Sequence, residues 1–304
     1  MDAAPPVAAP PRYSLPPVRR PEEDILFCVD VDLEALTEMK PAASASGPSS
    51  GSASTGSPQQ PAGAGAGGAA RPALRRLDAV KQALLLFVHG KRKICPGHRF
   101  AFASLGETVS MVRHRPCHDP FISRLPLVGF RVKKDFSSDP GSAMEAVHSL
   151  AASGSRYETA DLTPLFKIAY QEGKRAESQG RLLRVILIYC RSSTKPHHQW
   201  PVKPKNFTLD IFYLHDKPTA DNCPQKVYDA LVDALEHVSQ YEGYILETSQ
   251  GLARVIFREM CILLSHPMQR CIQDDLDIPK QVAKKTLATE AAQNEDGTPV
   301  SSQQ

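Results

Sequence analysis

The 304-residue chain has one tryptophan, no Cys-x-x-Cys pair, and no apolar run approaching the roughly 20 residues that a membrane-spanning helix needs. Its seven cysteines, at positions 28, 95, 117, 190, 223, 261 and 271, are odd in number and scattered, which excludes the disulfide framework of a small secreted domain. Met1 to Pro17 carries no charged-then-apolar signal pattern. A soluble protein of a reducing compartment, nucleus and cytoplasm, is the expectation. Excess charge is missing too: 36 Lys and Arg against 33 Asp and Glu leave +3, without the concentrated basic face of a nucleic-acid binder. Lys91-Arg92-Lys93 is too short a basic run to read as a nuclear signal.

The motifs of common enzyme classes are also missing. A dinucleotide site would need Gly-x-Gly-x-x-Gly after the first strand, so that the backbone can approach the pyrophosphate, but that junction reads Asp30-Val31-Asp32-Leu33-Glu34. There is no Walker-type Gly-Lys-Ser/Thr, no serine-hydrolase elbow, no His-Glu-x-x-His, and no His-x-Glu with Pro-Cys-x-x-Cys. No enzyme class is supported, and the chain is expected to have no catalytic residues of its own.

What the chain has in excess is proline and glycine, 26 and 18 residues. Much of this lies in residues 1–22, with Pro5-Pro6, Pro10-Pro11 and Pro16-Pro17, and in an Ala/Ser/Gly/Pro tract at 41–72. Neither stretch has side chains able to repay the entropy of ordering. A proline-rich tail at 1–22, one domain over 23–266 interrupted by an insertion at 41–72, and a terminal segment at 267–304 are therefore expected.

Within the domain, Ile25 to Val31 and Leu182 to Tyr189 are continuous apolar runs, as expected of strands covered on both faces. Leu77, Val80, Leu84, Phe87 and Val88 mark an amphipathic helix with Gly90 as a natural stop. Residues 99–105 and 108–112 flank Gly106-Glu107 as an antiparallel hairpin. Helices are predicted over 142–152, 161–175, 221–238 behind a capping Asp or Asn, and 251–265; strands over 208–214 and 243–247. The last helix reads as apolar nearly all round and so needs cover beyond one sheet face. Three prolines between 191 and 206 exclude a regular helix there. Strands alternating with helices make an α/β sheet, mostly parallel, with one antiparallel hairpin strand and helices on both faces.

Asp30, Asp32 and Glu34 stand at the carboxyl end of the first strand, where α/β sheets place ligands, and their oxygens suit Mg²⁺. A von Willebrand A domain has Asp-x-Ser-x-Ser here, a Thr from a later loop and an Asp after the fourth strand. In this chain Thr159 could supply the loop ligand, but Asp32 and Glu34 replace both serines, and Arg191 follows the later strand, where it opposes a cation. The bland alternative is a solvated acidic loop end. His114, Cys117, His118 and Asp119 crowd together without a second ligand cluster to complete a zinc site, and His197-His198 beside Trp200 read as surface loop. Cys28 and Cys190, on apolar strands, read as small core residues.

Three stretches carry a resemblance: Asp24-Ile25-Leu26-Phe27-Cys28-Val29-Asp30; His89-Gly90-Lys91-Arg92-Lys93-Ile94 leading to His98-Arg99-Phe100-Ala101-Phe102; and Leu263-Leu264-Ser265-His266-Pro267-Met268-Gln269-Arg270. In content and order they resemble the von Willebrand A-like scaffold subunit of the BRISC and BRCA-A deubiquitinase complexes, over about Pro21 to Ile278. The resemblance implies a von Willebrand A-like (Rossmann-type) fold and a non-catalytic subunit, without cofactor, of an enzyme that cleaves lysine-63-linked polyubiquitin. It implies as partners a ubiquitin-conjugating-variant subunit and a metalloprotease deubiquitinase subunit, with roles in the DNA-damage response, DNA repair and ubiquitin signalling. The family docks through its carboxyl-terminal segment, which makes His266, Pro267, Met268, Gln269 and Arg270 the partner-contact residues; the bland alternative there is a helix cap. The rival function is a Mg²⁺-dependent ligand-binding A domain outside any such complex, holding its ion with Asp30, Asp32 and Thr159.

Overall fold

A computed structural model describes residues 20–39, 73–112, 136–249, 251 and 253–276. Most of the proline-rich tail, the 41–72 insertion, the His114–Asp119 group and residues 277–304 lie outside the described residues. A six-stranded sheet forms the centre, in the order β3-β2-β1-β4-β5-β6. Its strands are β1 (Glu23–Asp30), β2 (Arg99–Leu105), β3 (Val109–Met111), β4 (Leu182–Tyr189), β5 (Thr208–Leu214) and β6 (Ile245–Thr248). Only β3, at one edge, runs antiparallel, pairing Leu105 with Val109 and Ala103 with Met111. β1 and β4 lie side by side at the centre and are buried along their whole length, which is why they are apolar on both faces.

Five helices cover the sheet: α1 (Arg76–Ile94), α2 (Pro140–Ser149), α3 (Thr163–Ser178), α4 (Pro224–Val238) and α5 (Ala253–Ile262). Ile25, Phe27 and Val29 point toward α1, α2 and α5; Leu26 and Cys28 point toward α3 and α4. Phe27 anchors the first face, stacked on Phe102 at 5.4 Å and edge-on to Phe87 at 5.3 Å. The fold class expected from the sequence is the one the chain has. Among the described residues no helix is long and apolar enough to cross a membrane.

Several local expectations need correction. Gly90 does not end α1, which runs on to Ile94. The glycine instead lies where α1 crosses α5: a Cβ there would come within 3.3 Å of Leu264. Gly106 does not have the positive φ of a tight hairpin glycine; its missing side chain makes room for the Tyr157 ring, 3.2 Å from where a Cβ would sit. Helix α2 begins two residues earlier than expected, because the Asp139 carboxylate caps Ser142 N–H at 2.7 Å and Pro140 opens the first turn. Helix α4 starts at Pro224 behind Cys223, without a side-chain cap from Asp or Asn. Helix α5 is not apolar all round: Val255, Ile256 and Met260 are buried, while Arg254, Arg258 and Cys261 are exposed. The second cover it needs comes from α1, within the same domain.

The 191–206 crossover has no helix, as its prolines require. His198 and Trp200 are half-buried rather than free on the surface, packed on Phe166 (5.1 Å), Tyr170 (5.6 Å) and His237 (5.0 Å). Phe166 lies in the core on the α3 and α4 face of the sheet, and Tyr170 and Trp200 pack against it. On the other side of the domain, Met39 N–H donates to Leu74 C=O at 2.7 Å and Arg76 N–H to Thr37 C=O at 2.8 Å, clasping the two chain segments that flank residues 40–72.

Candidate functional site

The carboxyl ends of β1, β2 and β4 converge on one guanidinium. Asp30, the last residue of β1, is fully buried, and Arg191, two residues past β4, is 1% exposed. Arg191 Nε lies 3.1 Å from both carboxylate oxygens of Asp30, and Nη2 lies 3.0 Å from Oδ1. The same two oxygens also accept the backbone N–H groups of Asp32 and Cys190, each at 3.1 Å. Arg191 Nη1 donates to Thr159 C=O at 2.6 Å, and Nη2 reaches the carbonyls of Gly106 and Leu105. The rings of Tyr157 and Tyr189 flank it at 5.4 and 5.7 Å. Burial opposes the charge on Arg191, but the Asp30 carboxylate more than offsets this, so its pKa lies above the ordinary arginine value.

The other acidic residues at this end are held by the fold as well. Asp32 caps the short 3-10 turn Leu33–Leu36 through Glu34 N–H at 3.0 Å and accepts Tyr157 N–H at 2.7 Å. Glu34 Oε2 accepts from Ser192 N–H (3.0 Å) and Ser192 Oγ (2.7 Å). Thr159 is exposed and contributes its backbone carbonyl to Arg191. The structure places Asp30, Asp32 and the Thr159 backbone carbonyl around Arg191, while the Glu34 carboxylate turns to Ser192. A divalent cation does not fit this arrangement, because the guanidinium already takes both oxygens of Asp30. Among the described residues no group of three or more His, Cys, Asp or Glu could hold a metal ion.

A second charged cluster lies at the opposite, amino end of the strands. Glu23 of β1, Arg184 of β4 and Asp210 of β5 are each fully buried. Arg184 donates to Asp210 Oδ2 at 2.6 Å and to Glu23 Oε2 at 3.4 Å, and Lys91 of α1 closes on Glu23 Oε1. Arg270 completes the set with bonds to the two Asp210 oxygens at 2.5 and 3.1 Å, while its guanidinium covers the Tyr244 ring at 4.4 Å. Burial favours the neutral acids here, but the facing cations outweigh it and hold Glu23 and Asp210 below the usual carboxylate range. Burial lowers the pKa of His98, whose Nδ1 accepts Glu23 N–H at 2.9 Å, and that of His266.

This second cluster positions the His266–Arg270 segment. His266 bonds Pro21 C=O through Nε2 (3.1 Å) and accepts Met268 N–H on Nδ1 (3.2 Å), capping the 3-10 turn Pro267–Gln269. Pro267 is buried and the Arg270 side chain is 0% exposed, whereas Met268 and Gln269 face outward, Met268 at 50%. Gln269 lines a shallow cavity of about 240 Å³ with Ile94, Cys95, His98 and Leu264. Ile94 and Ile272 are also exposed, at 64% and 63%. Sequence reasoning missed Glu23, Arg184 and Asp210; for Arg184 and Asp210 the available signal was a charge inside an otherwise apolar strand, which requires an ion partner. Cys28 and Cys190 are buried, and burial pushes both thiols well up.

No protein-family profile and no curated protein matches the chain. Among solved structures it is similar to the VWA domain of SpRpn10, at 12% identity and a TM-score of 0.40, covering 79% of this chain and 95% of that one. It is also similar to a von Willebrand factor type A protein from Catenulispora acidiphila, at 13% identity and a TM-score of 0.41, covering 80% of this chain and 42% of that one. Proximal thread matrix protein 1 from the mussel byssus matches at 11% identity and a TM-score of 0.44, covering 81% and 48%. The chain's own strand order, with its antiparallel edge and helices on both faces, makes it a mostly parallel α/β sheet.

Proposed function

We propose that the chain is a non-catalytic scaffold subunit of a multi-subunit deubiquitinase acting on lysine-63-linked polyubiquitin, working in nucleus and cytoplasm. It would hold a ubiquitin-conjugating-variant subunit and a metalloprotease subunit together in DNA-damage and ubiquitin signalling. The observation that carries the reading is the presentation of the Leu263–Arg270 stretch that bears the resemblance. Arg270 and Pro267 are turned inward and fix the turn, so that Met268 and Gln269 are offered outward beside exposed Ile94. Exposed apolar side chains such as Met268 and Ile94, held beside a shallow cavity by a fixed turn, are what a protein partner can anchor on. Interfaces of this kind bury about 1,000 Å² or more, so the neighbouring surface of α1 and α5 would take part.

The reading is tested by affinity purification of the tagged full chain with mass spectrometry, half the washes containing EDTA, alongside Met268→Asp/Gln269→Ala. Recovery of a metalloprotease-type deubiquitinase with its companion subunits, unaffected by brief EDTA and lost in the variant, is expected. Different partners that EDTA releases while the variant retains them would overturn it.

A further inference from the structure

We infer that Arg191 is a covalently tethered stand-in for a divalent cation, which keeps the carboxyl end of the sheet closed in a metal-independent state. The acceptors around the guanidinium are all oxygens, the carboxylate of Asp30 and the carbonyls of Leu105, Gly106 and Thr159, and the Asp32 carboxylate lies just beyond hydrogen-bond reach, its Oδ2 4.0 Å from Nε. Carboxylates plus carbonyls are the donor set of a hard cation such as Mg²⁺, Mn²⁺ or Ca²⁺. Arg191 sits at the middle of that set with its charge buried, and its pairing with Asp30 leaves no uncompensated ion.

Two consequences separate this from an ordinary buried ion pair. An ion bound from solution occupies its seat only as far as its concentration and affinity allow, whereas a side chain is always present. Arg191 also donates at once to the last residue of β1, to the β2–β3 hairpin and to the Thr159 carbonyl, and ties them to the end of β4. A partner carboxylate arriving from outside finds no open coordination position there, so binding by this domain runs through other surfaces. Removing the guanidinium leaves the buried oxygens of Asp30, beside those of Asp32, without a counter-ion, and that seat is suited to a soluble metal.

The test uses the full chain as wild type, Arg191→Ser, Arg191→Lys and the double variant Asp30→Asn/Arg191→Ser. Thermal unfolding is followed in EDTA and in millimolar Mg²⁺, Mn²⁺ or Ca²⁺, and bound Mn²⁺ is counted by electron paramagnetic resonance. Wild type and Arg191→Lys, which keeps a cation in the seat, are expected to ignore the metals. Arg191→Ser is expected to unfold earlier in EDTA, to regain about 5 °C or more with metal, and to bind one Mn²⁺ that Asp30→Asn abolishes. Mn²⁺ bound by the wild type, a metal response in Arg191→Lys equal to that of Arg191→Ser, or Arg191→Ser indifferent to metal or unfolded in its presence would each overturn the inference.

Discussion

Arg270 Nη1 donates to Asp210 Oδ1 at 2.5 Å across sixty residues of chain, and both side chains are 0% exposed. That contact pins the segment after α5 to the sheet beneath it. Removing Arg270 takes two charge-assisted hydrogen bonds from Asp210, which keeps Arg184 as its partner, at a cost of about 1.5–3 kcal/mol. Arg270→Ala is therefore expected to lower the unfolding free energy by about that amount in urea titration. Arg270→Ala with Asp210→Asn should lose less than the sum of the single changes, although Arg184 then loses one of its two carboxylate partners and keeps Glu23.

Acid should destabilise the protein in two steps. His98 and His266 are held below the ordinary histidine value of 6.5 by burial, among Glu23, Lys91 and Arg184, and His198 is lowered by burial beside His237. Below pH 6.5 the unfolded chain therefore binds protons that the folded one refuses, and stability declines as pH falls. Glu23 and Asp210 act lower down: their depressed pKa values give stability that is complete above the ordinary values of 4.5 and 3.8 and is lost as pH falls through the folded values. Urea midpoints measured from pH 7.5 to 3.5 should show both declines, and His98→Gln/His266→Gln should flatten the upper one.

Gly173 lies on the buried face of α3, where a Cβ would meet the Asn206 carbonyl at 2.6 Å. Alanine is the better helix former by about 1 kcal/mol. The clash is with backbone and cannot be relieved by a rotamer change, so Gly173→Ala is expected to destabilise by about 1–3 kcal/mol in spite of propensity. An unchanged or raised urea midpoint would show that the 206 region gives way.

The thiols should divide by burial. The thiolate is the reactive form, and burial pushes Cys28 and Cys190 away from it. Timed alkylation of native protein with peptide mapping should label the exposed Cys223, Cys261 and Cys271 early. Cys28 and Cys190 should label only with unfolding.

Much of the architecture was legible because the sheet is covered on both faces: Leu182 to Tyr189 is apolar without alternation, and only a central strand tolerates that. The acidic residues after β1 were legible as a group, and Arg191 as an element opposed to a cation, since both follow from position at strand ends. What Arg191 does there was not, because its hydrogen-bond partners come from three chain segments and depend on where the 157–159 backbone lies. The Glu23, Arg184 and Asp210 set escaped notice for a related reason. Arg184 and Asp210 are single charges in apolar runs and Glu23 stands among other acids at the start of its strand, and only the lateral register of β1, β4 and β5 places the three next to one another. Gly90 misled because a glycine at a helix crossing and a glycine at a helix end look alike in one dimension; the difference lies in Leu264, more than 170 residues away.

The Met39–Leu74 clasp bears on how this domain tolerates change over evolutionary time. With the two flanking stretches of chain fastened to each other, the ends of the span between them stay together whatever its length. Closing a longer excursion costs only about 0.6 kcal/mol for each doubling. Residues can be added, shuffled or lost there at almost no thermodynamic penalty, which makes this spot the natural place for lineages to diverge while the domain beneath stays the same.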